Sequence, residues 1–156
     1  MTPKPHPLQA AVRVAQAREE EAAKRLADAQ QRLAEQENRL EQLTLFRGEY
    51  ANQFQREGGS GISARRFQDY AAFLNNLDQG VAQSRQQLER LQQELQRKRQ
   101  DWVQTHAKTK ALEEVLARDR KARSRREDQR EQRDSDERNL RGPNARPRPS
   151  DGEGSS

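Results

Sequence analysis

The amino-acid sequence predicts an all-α protein, a long two-helix antiparallel coiled-coil hairpin with a disordered C-terminal tail. Three observations lead to this prediction. The 156 residues are 35% charged and only 30% hydrophobic, which is too little apolar material to offset the entropy of ordering a compact globular core. Glu, Gln, Arg, Ala and Leu dominate, as is typical of long helices. Two runs of heptad-spaced apolar residues flank one short glycine-rich segment.

The first predicted helix covers residues 8–56 and follows a proline-rich flexible lead at residues 1–7. No proline interrupts it, and apolar residues recur along it every seven residues, which is the repeat of a coiled coil. We call the positions that follow this repeat the seam. The seam positions of this helix are Val12, Glu19, Leu26, Leu33, Leu40, Arg47, Phe54 and Leu8, Ala15, Ala22, Ala29, Gln36, Leu43, Tyr50.

The glycine-rich residues 57–61 predict the turn, because glycine permits the positive φ angles of a tight reversal. The second helix is predicted over residues 62–138. Its apolar pattern fades after Leu116, and the coiled-coil domain as a whole covers residues 8–141. Residues 142–156 are rich in Pro, Gly, Ser and Arg and are predicted to be disordered. The seam positions of the second helix are Phe67, Leu74, Val81, Leu88, Leu95, Trp102, Thr109, Leu116 and Tyr70, Leu77, Ser84, Leu91, Lys98, Thr105, Leu112.

The two seams also suggest a pairing register, in which the numbers of facing residues add to 117 and the turn centres on Gly58 and Gly59. In that register small alanines face large residues, which fills the seam at a constant helix separation. Glu19 faces Lys98, and such a buried pair would penalise a slipped register. One flank disagrees, since Glu37 would lie near Asp78. Pairing between two copies is the alternative, but the register match favours a monomer when the protein is free.

The composition argues against several kinds of chemistry. Without cysteine the chain can form no disulfide and no thiolate zinc site. His6 and His106 stand alone in the sequence, and the glycine segment lacks the Lys-Ser/Thr of a phosphate loop, so we expect no metal or other cofactor. A two-helix coiled coil offers no enclosed site for preorganised groups, which predicts that the protein is not an enzyme. The absence of a signal sequence or an apolar span predicts a cytoplasmic protein.

Two surface features predict partner binding. The basic run at residues 118–126 would suit an acidic protein surface, a nucleic acid or an anionic membrane. Nucleic acid is disfavoured because no aromatic residues are interleaved and acids follow from Glu127 to Glu137. The second feature is a group of aromatic residues around the turn. Phe46 and Phe73 flank the seam on one side there, and exposed apolar patches usually mark partner sites.

The sequence resembles the flagellar type III export protein family FliJ over roughly residues 8–138. The resemblance begins with Tyr50-x-x-Gln53 before the glycine-rich turn and ends in a charged run that closes on Asp136-Glu137. The order and spacing of these motifs along the whole chain make the match specific. Between them lie Phe67, Tyr70, Phe73-Leu74, Leu77, Trp102, Lys110-x-Leu112, Leu116 and Arg118.

This resemblance implies a protein of bacterial flagellum assembly and motility, without enzymatic activity, similar in fold to the central stalk of rotary ATPases. It implies binding to the hexameric export ATPase FliI, to the export gate protein FlhA and to export chaperones, with peripheral association at the inner face of the cell membrane. A stalk protein of a related virulence secretion system and a generic coiled-coil spacer are the alternatives. The residues expected at the ATPase end are Arg118, Arg120, Lys121, Arg123, Arg125 and Arg126, and those expected at the gate end are Leu45, Phe46, Tyr50, Phe73 and Leu77.

Overall fold

Two α-helices make up the described part of the chain, as predicted. The computed structural model describes residue 4 and residues 6–145, with side chains as far as residue 141. Helix α1 spans Pro7–Ser60 and helix α2 spans Ala64–Ala145. The predicted all-α antiparallel hairpin is confirmed. The disordered tail was predicted to begin at residue 142, but α2 continues to Ala145, and the rest of that tail lies outside the described residues.

The start of α1 is fixed by two residues that the sequence analysis had assigned to the lead. Pro7 occupies the first helical position, where its missing N–H would have no helical partner in any case. His6 caps the helix with both its backbone and its ring. Its carbonyl oxygen accepts a hydrogen bond from the Gln9 N–H at 2.9 Å, and its Nδ1 accepts one from the Leu8 N–H at 3.0 Å.

The reversal between the helices occupies residues 61–63, later in the chain than the predicted residues 57–61. Helix α1 continues through Gly58 and Gly59, because of these three glycines only Gly61 adopts a positive φ, of 84°, and thereby ends the helix. The Ser63 side chain then caps α2 by accepting a hydrogen bond from the Arg66 N–H at 3.2 Å. The predicted and observed positions of the reversal differ because glycine permits a left-handed backbone but does not require one.

The described residues divide into two compact units, residues 13–109 and the described part of residues 1–12 with 110–145. In the first of these units the predicted seam holds the two helices together. Ala15, Ala22, Ala29, Tyr70 and Val81 are buried, and almost all the other seam residues are half-buried. Two polar seam residues pair with each other, since the Gln36 side chain donates a hydrogen bond to the Ser84 hydroxyl at 2.8 Å. Thr109, also buried, donates to the Thr105 carbonyl oxygen at 2.9 Å.

The predicted register is wrong. Glu19 contacts His106, not Lys98. Asp78, predicted to lie beside Glu37, forms an ion pair with Arg47 at 2.8 Å, and the mismatch on that flank disappears. Facing residues therefore have numbers that add to more than 117. The shift follows from the later reversal, because the turn sets the centre of the pairing.

The second unit contains the first residues of α1 and residues 110–145 of α2. Val12 and Leu116 are buried and Leu8 and Leu112 are half-buried, so the seam continues here. The His6 ring, which is almost fully buried, contacts the Asp119 carboxylate at 3.2 Å between Nε2 and Oδ2. Because Nδ1 already accepts the Leu8 N–H, the proton between His6 and Asp119 belongs to Nε2. Every described side chain of α2 from residue 123 to residue 141 is exposed.

Candidate functional site

Three aromatic rings form an exposed cluster beside the reversal, within residues 13–109. The Phe46 and Phe73 rings meet edge to face with centroids 6.4 Å apart. Tyr50 lies against both rings, at 6.5 Å from Phe46 and 4.5 Å from Phe73. Phe46 remains 48% exposed and Phe73 38% exposed. The rings thus combine a fixed geometry with a large accessible apolar area, which is the usual character of a binding hot spot.

The other residues predicted at the gate end differ from one another in exposure. Leu45 is 61% exposed, and Tyr50 and Leu77 are half-buried seam residues. The structure therefore brings Phe46, Tyr50 and Phe73 into one cluster. We call Phe46, Tyr50 and Phe73 the aromatic patch.

Phe67 departs from its predicted place in the core, since it is 51% exposed. Its ring contacts Phe54, with centroids 5.1 Å apart. Phe67 lies in the first turn of α2, and α1 ends at Ser60, so little of α1 remains to cover it. Tyr70, one turn further along α2, takes the buried position instead and contacts both Tyr50 and Phe54. Sequence periodicity could not distinguish these two seam positions, because both follow the same repeat.

Glu57 ties the end of α1 to the start of α2, a role that the sequence analysis did not foresee. Tyr70 donates a hydrogen bond from its hydroxyl to the Glu57 carboxylate at 2.7 Å, and Arg66 forms an ion pair with the same carboxylate at 3.0 Å. The bond to Glu57, together with burial of the ring, raises the pKa of the Tyr70 hydroxyl above its ordinary value. These contacts hold together the ends of the two helices from which the aromatic patch is built.

The predicted ATPase-end residues lie on α2 in the second unit. All six of them, Arg118, Arg120, Lys121, Arg123, Arg125 and Arg126, are exposed. No hydrogen bond or ion pair joins any of these side chains to another residue that the structure describes. They form a band of positive charge on a helix that continues past the first residue of α1. Exposed charges of this kind chiefly accelerate association with an oppositely charged surface.

The two histidines are not isolated, contrary to the sequence-based interpretation. His6 contacts Asp119. His106 contacts Glu19, and its ring stacks on Trp102 with centroids 5.0 Å apart. Each histidine has one carboxylate partner, and within residues 4 and 6–145 no group of three or more histidines and acids could hold a metal ion. No signal in the sequence could reveal these partners, because both follow from the register.

No segment of either described helix is both long enough and apolar enough to cross a bilayer.

A two-helix antiparallel coiled coil with an exposed aromatic patch and a highly charged helix end belongs to the class of interaction proteins. The family model of the flagellar FliJ protein matches residues 4–148, and the chain therefore belongs to the FliJ family. Comparison with the curated proteins and with the solved structures gave no significant match. The family is a non-enzymatic component of flagellar export, so the protein is a component of the flagellar export apparatus.

Proposed function

We propose that the protein is a cytoplasmic stalk and adaptor, peripheral at the inner face of the cell membrane, which links the export ATPase to the export gate. Its basic α2 segment would contact the hexameric ATPase FliI, and its aromatic patch would contact the gate protein FlhA. It would also assist the delivery of substrates by export chaperones. The proposal rests on one observation: this FliJ-family chain has two exposed surfaces that differ in chemistry, one aromatic and one cationic.

The aromatic patch suits a site of tight and specific docking. Phe46 and Phe73 hold each other edge to face, so little side-chain entropy remains to be lost when a partner covers them. Burying an aromatic anchor of this kind typically contributes about 2 kcal/mol or more to binding. The patch is therefore the stronger candidate for the permanent contact with the gate.

The basic run suits a contact that forms and breaks repeatedly. Its six cations, from Arg118 to Arg126, are exposed on the helix surface. Their attraction to an acidic ring acts over about 10 Å at 0.1 M salt. Such an attraction raises the rate of encounter.

Two alternatives lead to different observations. A generic coiled-coil spacer would self-associate and would not stimulate the ATPase, whereas we expect a monomer in solution that does stimulate it. A stalk of a virulence secretion system would stimulate the ATPase of that system in preference to the flagellar one.

The test uses the double variant Phe46→Ala with Phe73→Ala and the cytoplasmic part of FlhA as probe. We expect the double variant to bind FlhA at least about 30-fold more weakly than the wild-type protein, because about 2 kcal/mol of anchor burial is lost. Stimulation of FliI should persist, because the basic run is unchanged. Phe67→Ala is the matched control, since it removes an aromatic ring of similar exposure outside the patch. Equal losses in the double variant and the control, or none in either, would refute a gate site at the patch.

A further inference from the structure

On α2, the repeat that forms the face packed against α1 continues beyond the first residue of α1. Leu112 and Leu116 are its last apolar positions, half-buried and buried respectively. Asp119 comes three residues later and contacts His6, the residue that caps the start of α1. At the same alternating spacing of four and three residues, the next positions on this face are Arg123, Arg126, Arg130 and Arg133. The repeat on α2 thus changes from apolar residues to arginine beyond the first residue of α1, where α1 no longer lies against it.

These four residues, which we call the arginine seam, form one continuous stripe. At about 1.5 Å per residue they cover roughly 15 Å of helix, and at about 100° per residue they lie within a sector of about 80°. All four side chains are exposed. None forms an ion pair or hydrogen bond with a residue that the structure describes, although Glu127, Asp134 and Glu137 lie four residues beyond Arg123, Arg130 and Arg133. Arginine preceding glutamate is the weaker order for such pairs.

The chemistry of the stripe restricts what can cover it. A second copy of the same helix would set arginine against arginine, and an apolar helix would leave four guanidinium groups buried without partners. Carboxylates satisfy guanidinium groups in a bidentate manner, which makes arginine the preferred cation for desolvated contacts. An acidic helix with carboxylates at the same spacing would therefore extend the two-helix seam beyond the start of α1.

We propose that the arginine seam is a docking surface for an acidic helical segment of a protein partner. The inference rests on the proposed contact with the export ATPase and specifies its chemistry. A nucleic acid fits less well, because Glu127, Glu131 and Asp134 form an acidic stripe beside the seam and no Phe, Tyr or Trp follows Trp102 in the sequence.

Within the basic segment, the seam arginines and the other cations have different roles in binding. Arg118, Arg120, Lys121 and Arg125 lie off the seam face and steer the approach of an acidic partner. The four seam arginines make the close contacts once the partner has docked. Loss of steering charges slows association, whereas loss of desolvated contacts accelerates dissociation.

The experiment compares two full-length variants that each lose four positive charges. The seam variant carries Arg→Gln at residues 123, 126, 130 and 133. The matched variant carries Arg118→Gln, Arg120→Gln, Lys121→Gln and Arg125→Gln. Glutamine is a good helix former, and circular dichroism checks that both variants keep their helix content. Surface plasmon resonance at neutral pH then measures association and dissociation rates with FliI, with poly-L-glutamate in its ionised form and with a single-stranded oligothymidylate.

We expect the seam variant to dissociate from FliI and from poly-L-glutamate on the order of 100-fold faster than the wild-type protein. The matched variant should associate more slowly, by about tenfold at low salt, with a dissociation rate within about threefold of wild type. If the wild-type protein binds poly-L-glutamate through the seam but does not bind FliI, the proposed ATPase contact falls and the chemistry of the docking surface stands. Equal dissociation rates in the two variants, or tighter seam-dependent binding to the oligothymidylate, would overturn the inference.

Discussion

The position of the reversal can be tested by replacing glycine with alanine at three places. Gly58 and Gly59 lie inside the last turn of α1, and a Cβ atom added to either meets no other atom within 4 Å. Gly61 also has space for a Cβ, but its φ of +84° is a conformation that alanine adopts only at a cost. The three substitutions therefore differ in backbone conformation and not in packing.

The expected magnitudes follow from these conformations. Within a helix, alanine is more stable than glycine by about 0.5–1 kcal/mol, so Gly58→Ala and Gly59→Ala should each stabilise the protein. Gly61→Ala should destabilise it by about 1–2 kcal/mol, because it forces a side chain into the left-handed region. Gly48→Ala is the control for an ordinary helical glycine, and it should stabilise by a similar amount to Gly58→Ala, since nothing lies within 4 Å of its Cβ.

Thermal unfolding followed by circular dichroism measures these differences. In a chain of this size, 1 kcal/mol shifts the Tm by about 2–4 °C. We expect the Tm to rise for Gly58→Ala and Gly59→Ala and to fall for Gly61→Ala. If Gly58→Ala and Gly59→Ala lower the Tm by as much as Gly61→Ala does, the reversal lies at residues 57–61 after all and the register argument fails with it.

Two further predictions test the seam and the cap of the reversal. The chain has no cysteine, so oxidation of Gln36→Cys with Ser84→Cys should give a cross-linked monomer on a non-reducing gel, whereas Gln36→Cys with Val81→Cys, paired in the rejected register, should stay reduced. The hydrogen bond from Tyr70 to Glu57 raises the pKa of Tyr70, so its stabilisation is complete below about pH 10 and is lost as the pH rises through the raised pKa. Tyr70→Phe should therefore lower the Tm at about pH 8 but reduce its decline above about pH 10; an unchanged decline would show that the bond contributes nothing.

Several sites show how far the sequence could lead. It indicated that Phe46 and Phe73 flank the seam near the turn, because heptad positions define which side of a helix each residue occupies. It could not show that Phe67 is exposed and Tyr70 buried, since both are seam positions and only the end of α1 decides which is covered. The arginine seam is visible in the sequence as a continued repeat, but its meaning depends on the contact between His6 and Asp119, which marks where α1 starts.

The sequence by itself determined that two helices pair along two apolar stripes on either side of a glycine-rich break. A heptad pattern encodes the buried face of each helix directly, because burial repeats with the helical period. The register was decided only in the tertiary structure. Sliding one helix by a heptad again brings seam against seam, so the pattern itself favours neither arrangement. The choice of Gly61 over Gly58 and Gly59 for the positive φ set the pairing, and with it the partners of Glu19, Asp78 and both histidines.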